Sequence, residues 1–126
     1  MGELLDKGSL TLTNASNEVN FGEAPKAGTL SVNKSYLTVT TAIVAGTTAP
    51  VVGIYIGTTK VGTATIPTGT AVKKAIGFTL PTGQNFFGPA FSAGQELSVQ
   101  VDTAGTDGGT PAGVVDVKLV YTLADT

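Results

Sequence analysis

The chain has 126 residues, with nine acidic residues, seven basic residues and a formal net charge of −2 at pH 7. It contains no His, Cys, Trp or Arg, and all seven basic residues are Lys. The side chain that titrates near neutral pH, the thiol nucleophile and the planar guanidinium are therefore missing. These absences argue against an enzyme, so we expect a non-catalytic protein with no catalytic residues, no cofactor and no metal site.

Charge and hydropathy also argue against two classes of partner. Nucleic-acid binding depends on neutralising phosphates, for which a chain without Arg and with a negative net charge is poorly suited. The longest apolar stretches fall far short of the roughly 20 residues that a membrane helix needs. The first ten residues contain acids and only two adjacent apolar residues, so they do not resemble a signal peptide. We expect neither nucleic acid nor membrane as a partner, and synthesis in the cytoplasm.

Threonine and glycine take the place of charge. Charged residues make up only 13 % of the chain, against about a quarter in typical soluble domains, whereas there are 21 Thr and 17 Gly. Thr suits the half-exposed face of a β-strand, and Gly suits turns and bulges. A Thr-covered surface with little charge favours repeated assembly with partners. The same enrichment also follows from β structure alone, and composition does not decide between the two.

In chain order, the pattern of apolar residues predicts strands and almost no helix. Residues 1–7 are compatible with one helical turn, which Gly8 would end. Alternating apolar residues then recur at short intervals, separated by turns rich in Gly, Pro, Asn and Thr. The predicted strands are residues 9–14, 35–44, 51–56, 60–66, 71–80, 86–91, 96–102 and 114–124. Residues 57–59, Gly-Thr-Thr, predict a hairpin between the third and fourth strands.

Eight short strands predict an all-β fold, an antiparallel two-sheet β-sandwich. Their number and the longer crossings favour a jelly roll over an immunoglobulin sandwich. We divide the chain into an N-terminal arm of residues 1–8 and a single β-sandwich domain of residues 9–126. Apart from the first strand, residues 1–28 are polar and are expected outside the core. Residues 102–113 are expected to form a Gly-rich hairpin tip before the last strand.

Few residues are candidates for a site. Asp102 and Asp107 flank the Gly-rich loop and could hold a calcium ion, although their spacing matches no EF-hand pattern and Asp is also common in turns. Lys73 and Lys74 are the only basic pair, which a solvated strand edge explains.

The aromatic residues give one candidate contact. Most of them lie at alternating strand positions, where we expect them in the core. Phe86 and Phe87 are adjacent, and successive side chains of a regular strand point to opposite faces. One of these two rings is therefore a candidate for an interface.

Two long stretches resemble the decoration, or cement, proteins of tailed-bacteriophage heads. The first is LTVTTAIVAGTTAPVVGIYIGTTKVGTATI, residues 37–66, in which a Thr-rich strand runs into an Ala-Gly-Thr turn. The second is FSAGQELSVQVDTAGTDGGTPAGVVDVKLVYTLA, residues 91–124, in which a Ser-Ala-Gly-Gln turn precedes an alternating strand, a Gly-rich tip and a long final strand. The resemblance implies a jelly-roll-like sandwich, commonly trimeric, that sits on the virion surface against the major capsid protein. It transfers no individual site residue.

Two other functions remain open. A carbohydrate- or receptor-binding β-sandwich module, such as a tail-fibre tip, would be favoured by an exposed aromatic platform or a calcium site, and the missing Trp argues against it. A small enzyme would need a convergent pair of acids in a pocket.

Overall fold

The computed structural model of the chain describes residues 3–14, 17–80 and 89–123. These residues form ten β-strands and no helix. In chain order the strands are β1 (Glu3–Thr11), β2 (Glu18–Glu23), β3 (Gly28–Leu30), β4 (Tyr36–Val44), β5 (Val51–Ile56), β6 (Thr59–Thr65), β7 (Ala75–Gly77), β8 (Ala90–Phe91), β9 (Glu96–Thr103) and β10 (Ala112–Leu123).

The strands form two antiparallel sheets. The six-stranded sheet has the order β7-β4-β10-β3-β8, with β1 paired along the other side of β10. The four-stranded sheet has the order β2-β9-β5-β6. This architecture confirms the predicted all-β, antiparallel two-sheet β-sandwich, with ten strands in place of eight. The jelly-roll topology stays a prediction.

The core lies between the two sheets and follows from alternation along the strands. In β10, Val115, Val117 and Leu119 are fully buried, while Asp116 and Lys118 between them are only half-buried on the outer face. The same period of two in β5 and β9 supplies the opposite wall of the core. The largest fully buried side chains are Leu10, Leu12, Leu30, Leu37, Ile43, Ile54, Ile66, Leu119, Val32, Val39, Val52 and Val99. Each contributes about 1.5–3 kcal/mol through burial.

The predicted hairpin is confirmed. β5 and β6 pair from Val51 opposite Thr65 to Ile56 opposite Thr59, and a two-residue turn connects them. Gly57 opens that turn with a φ of +61°, a left-handed conformation that glycine adopts without steric cost. Its backbone N–H donates to the carbonyl oxygen of Glu96 at 2.8 Å, which ties the turn to the start of β9.

The prediction that residues 1–28 contribute only one strand was wrong. β2 pairs with β9, and β3 pairs with both β10 and β8. β2 lies at a sheet edge, and its register shifts between Asn20 and Glu23, so its alternation is interrupted. β3 has only three residues. Strands this short or irregular leave too little periodicity in the sequence to predict them.

The helical turn considered for residues 1–7 was also wrong where the structure describes that segment. Glu3–Thr11 forms β1, which pairs with β10 at nine consecutive positions without a register shift. The predicted division between residues 8 and 9 falls inside this strand. Gly8 lies so close to β2 that a Cβ atom on it would lie 2.3 Å from Cγ1 of Val19.

The strand predicted at residues 71–80 is shorter than expected, because the chain changes sheets there. Ala75–Gly77 pairs with β4 in the six-stranded sheet, whereas Thr79 forms a bridge with Thr63 of β6 in the four-stranded sheet. Phe78, between them, is buried. Before the strand, Lys73 has a φ of +76°, which turns the chain away from a regular ladder.

Residues 102–113 do not form a hairpin tip, which corrects the prediction. β9 belongs to the four-stranded sheet and β10 to the six-stranded sheet, so the loop crosses from one sheet to the other. Hydrogen bonds hold the crossing in place: Gly105 N–H donates to the Leu12 carbonyl at 2.8 Å, and Thr106 pairs with Thr48.

Candidate binding surface

A polar cluster lies on the outer face of the four-stranded sheet. The Tyr55 hydroxyl donates to Oδ1 of Asp102 at 2.5 Å, and the Lys60 ammonium lies 2.7 Å from Oδ2 of the same carboxylate. The Asp102 side chain is 14 % exposed and that of Lys60 is 38 % exposed. The Asp102 carboxylate is therefore largely shielded from solvent, and the more exposed Lys60 ammonium lies on its solvent side.

Strand register brings these three residues together. Tyr55 in β5 lies opposite Lys60 in β6. On the other side of β5, the register with β9 shifts between Val51 and Val52, which leaves Asp102 as the extra residue of a bulge. A bulge of this kind redirects a side chain, and here it accompanies the contact of Asp102 with the hairpin.

Gly53 provides the space for the cluster. A Cβ atom at this position would lie 2.5 Å from Oδ2 of Asp102 and 3.0 Å from Cε1 of Tyr55. Both distances are shorter than ordinary van der Waals contact, and the first requires a neighbour to move. Gly53 therefore allows the carboxylate to lie over the strand between its two partners.

The electrostatics of the cluster keep the phenol protonated. Burial, the hydrogen bond to Asp102 and the negative charge of that carboxylate together raise the pKa of Tyr55 from 10.0 to about 12. A phenol with this pKa donates a hydrogen bond and does not act as a base near neutral pH. The cluster links the hairpin to β9, and its contacts hold this part of the outer face of the four-stranded sheet in a fixed shape.

The two acids considered for calcium have separate sets of partners. Asp102 contacts Tyr55 and Lys60, whereas Asp107 accepts backbone N–H groups from Gly46 at 3.0 Å and Gly109 at 2.9 Å. Asp107 thus has the turn-forming role that Asp often takes. Across residues 3–14, 17–80 and 89–123, no group of three or more acidic, His or Cys side chains is placed to hold a metal ion.

The two candidate interface residues, Phe86 and Phe87, lie outside the described residues. Of the other aromatic residues, Phe78 and Phe91 are buried in the core, and Phe21 and Tyr121 pack against it.

Two tyrosines are exceptions to the expectation that most aromatic residues are in the core. Tyr36 and Tyr55 are half-buried on the outer faces of the six- and four-stranded sheets. The Lys118 ammonium lies 5.2 Å from the centroid of the Tyr36 ring, within cation–π range. Within the described part of the chain, each outer face therefore carries a tyrosine ring beside a lysine.

Threonine contributes much of the remaining outer surface. Some hydroxyls bond to the chain's own backbone: that of Thr40 donates to the Val114 carbonyl at 3.1 Å and that of Thr70 to the Pro67 carbonyl at 2.6 Å. Others lie exposed on strands, as the side chains of Thr41, Thr59 and Thr65 do. These exposed threonines form hydroxyl-bearing faces with little charge.

The adjacent lysines lie at the edge of the six-stranded sheet. Lys73 and Lys74 are exposed in the turn that precedes β7, and they exchange backbone hydrogen bonds with Val39 of β4. This position agrees with the interpretation that the pair occupies a solvated strand edge.

Sequence reasoning did not find the Tyr55–Lys60–Asp102 cluster. The predicted hairpin, with residues 57–59 as its turn, opposes Lys60 to Ile56, whereas the two-residue turn of the structure places Lys60 opposite Tyr55 on one face. The pairing of β5 with β9 connects segments more than 40 residues apart, and no local pattern indicates it.

Among the described residues, no helix is long and apolar enough to cross a membrane.

Comparison with known proteins does not extend this description. No protein-family model, curated protein or solved structure matches the chain.

Proposed function

We propose that this chain is a virion structural protein that decorates or cements the capsid of a tailed bacteriophage, without catalytic activity. The observation that carries the proposal is the β-sandwich itself: an apolar core enclosed by outer faces that are rich in Thr and poor in charge. The proposed partner is the major capsid protein, and the proposed location is the virion, after synthesis in the host cytoplasm.

The outer faces are suited to contact because little hydration is lost when they are covered. Burying a charged side chain costs several kcal/mol unless it is paired, whereas burying a hydroxyl that finds a partner costs far less. Exposed Thr41, Thr59 and Thr65 are of the second kind. A face of this composition can meet another protein surface without a strict charge pattern.

Several charged groups on these faces are already engaged within the chain. Lys60 pairs with Asp102, Lys118 lies over Tyr36, and Glu96 accepts a hydrogen bond from Asn20 at 2.8 Å. These internal contacts lower the electrostatic cost of covering the faces. They also keep the shape of the contact surface constant from copy to copy.

A capsid repeats one surface many times, and repetition strengthens weak contacts. Linked binding sites can exceed the affinity of a single contact by a factor of about 10²–10⁴ through effective concentration. A homotrimer, as the resemblance implies, would use this effect. The trimer and the jelly-roll topology are part of the proposal.

The test is binding to capsids of the phage that carries this gene. Purified protein is mixed with expanded heads that lack their decoration layer, and the heads are sedimented. We expect protein to co-sediment at a fixed ratio to the major capsid protein and to raise the temperature at which the heads disrupt. Heads that bind no protein would overturn the proposal.

One observation favours a second function, a carbohydrate- or receptor-binding module. Tyr36 and Tyr55 lie on outer faces, where an aromatic ring can stack against a sugar. A glycan array with the full chain and with Tyr36→Ala and Tyr55→Ala variants tests it. Binding that either variant removes would favour this module, and an array without signal would argue against it.

A further inference from the structure

The edges of the two sheets are not equally protected. β7 and β8 have three and two residues, and edges this short offer little to pair with. β2 is interrupted by a register shift, and Gly22 within it has a φ of +87°. β6 is covered at its middle, where Thr63 and Thr79 exchange backbone hydrogen bonds of 2.9 and 2.8 Å. Among the described strands, the remaining edge is β1.

β1 is long and regular. It pairs with β10 at nine positions without a register shift, and within the described residues no other strand pairs with it. Exposed edges of this kind are uncommon in natural proteins unless another chain covers them, because they invite strand addition.

Two hydrogen bonds establish which backbone groups of β1 point outward. Leu12 N–H donates to the Gly113 carbonyl beside the start of β10, whereas Thr11 N–H points the other way and donates to Oδ1 of Asn17 at 2.8 Å. Because the direction alternates along a strand, the backbone groups of residues 5, 7 and 9 also point away from β10. Among the described residues, the Asn17 side chain caps this edge at Thr11, and no described strand pairs with the edge before it.

We propose that two copies of this chain associate by antiparallel pairing of their β1 strands about a two-fold axis at Leu5. This register places Glu3 of each copy opposite Lys7 of the other. Opposite charges at directly opposed positions favour pairing of two strands. The outward-pointing backbone groups of Leu5 and its counterpart form the central pair of hydrogen bonds.

The neighbouring registers are less favourable. An axis at Asp6 places two Asp residues opposite each other, and an axis at Lys7 does the same with two Lys residues. Registers displaced further toward the end of β1 bring the partner strand onto Thr11, whose N–H is already bonded to Asn17. An axis at Leu4 would place Glu3 opposite Leu5 and form no opposite-charge pair within residues 3–11. Charge and capping together therefore favour the axis at Leu5.

The proposed contact is isologous, with one strand contributed twice to a closed two-fold interface. It would join two six-stranded sheets into one continuous sheet. It does not depend on the capsid function proposed above, but it is an alternative to the homotrimer included there, and the mass of the particle distinguishes the two.

The experiment measures the mass of the full chain by light scattering across a concentration series. The variants are Glu3→Lys, Lys7→Glu and the double variant that carries both changes. Each single reversal places like charges opposite each other twice per dimer, so we expect the dissociation constant to rise about tenfold or more. The double variant restores two opposite-charge pairs and is expected to regain most of the lost affinity.

Two further variants separate pairing from folding. Leu5→Pro removes an N–H that points away from β10, so it should block dimerisation while far-ultraviolet circular dichroism still reports the sandwich. Lys26→Glu changes an exposed lysine outside β1 and should leave the mass unchanged. A monomer at all concentrations, a trimer that is insensitive to β1, or a dimer that ignores the charge reversals would each overturn the proposal.

Discussion

At the residue scale, the Tyr55–Asp102 contact gives the protein a defined response to alkaline pH. The phenol donates to the carboxylate at 2.5 Å, and burial, this bond and the carboxylate charge raise its pKa to about 12. The folded chain therefore holds this proton more tightly than the unfolded chain, for which 10.0 is the reference value. The associated stability is fully present below pH 10 and is lost as pH rises from 10 to about 12.

We predict that Tyr55→Phe removes this part of the pH dependence. The wild-type chain should lose stability to urea between pH 9 and 11 more steeply than the variant, because only its unfolded state releases the Tyr55 proton in that range. Urea midpoints measured at both pH values test this. Tyr36→Phe, which changes the tyrosine on the other sheet, should keep the wild-type slope, and equal slopes for all three proteins would contradict the prediction.

At the element scale, β10 changes neighbours along its length. Ala112–Lys118 pairs with β4, and Tyr121–Leu123 pairs with β3. Between them, the Ser35 hydroxyl accepts the Val120 N–H at 2.9 Å and donates to the Ser31 carbonyl, also at 2.9 Å. Ser35 is 1 % exposed, so water does not reach its hydroxyl. The hydroxyl takes the place of the strand-to-strand hydrogen bond that Val120 lacks between β4 and β3.

We predict that Ser35→Ala destabilises the protein by about 1–3 kcal/mol, because the Val120 N–H, which lies against the buried Ser35 side chain, loses its acceptor. Denaturant unfolding followed by circular dichroism measures this difference. Ser31→Ala is the matched control, since the contacts described here use only the backbone of Ser31 and the change should cost little. A Ser35→Ala variant as stable as the control would show that Val120 finds another acceptor.

The elements also show what a sequence can predict. β5 matches its predicted bounds, and β10 differs from its predicted start by two residues, because both have a clean apolar alternation and turns at their ends. β2 and β3 escaped prediction because they are irregular or short, and they depend on partners distant in the chain. The bulge at Asp102 is likewise set by the pairing of β9 with β5, which has no local signature.

At the scale of the whole molecule, the alternation of apolar and polar residues predicted two sheets. It did not indicate which strands belong to which sheet. The loop after β9 resembled a hairpin because two strands flank a Gly-rich stretch, yet it crosses between sheets. Strand pairing in this protein is mostly between distant segments, as β1 with β10 illustrates. The candidate surface depends on these pairings. For this reason the sequence predicted the composition of the surface but not the Tyr55–Lys60–Asp102 cluster on it.

Because one core joins the two sheets, we expect them to unfold together. Leu119 lies in the six-stranded sheet and Ile54 in the four-stranded sheet, and both are fully buried in the same cluster. Leu119→Ala and Ile54→Ala should each cost about 2–5 kcal/mol. Each variant should unfold in a single transition that coincides by tyrosine fluorescence and by far-ultraviolet circular dichroism. Two separate transitions, or a shift in one probe alone, would mean that each sheet is stabilised on its own and that the shared core does not couple them.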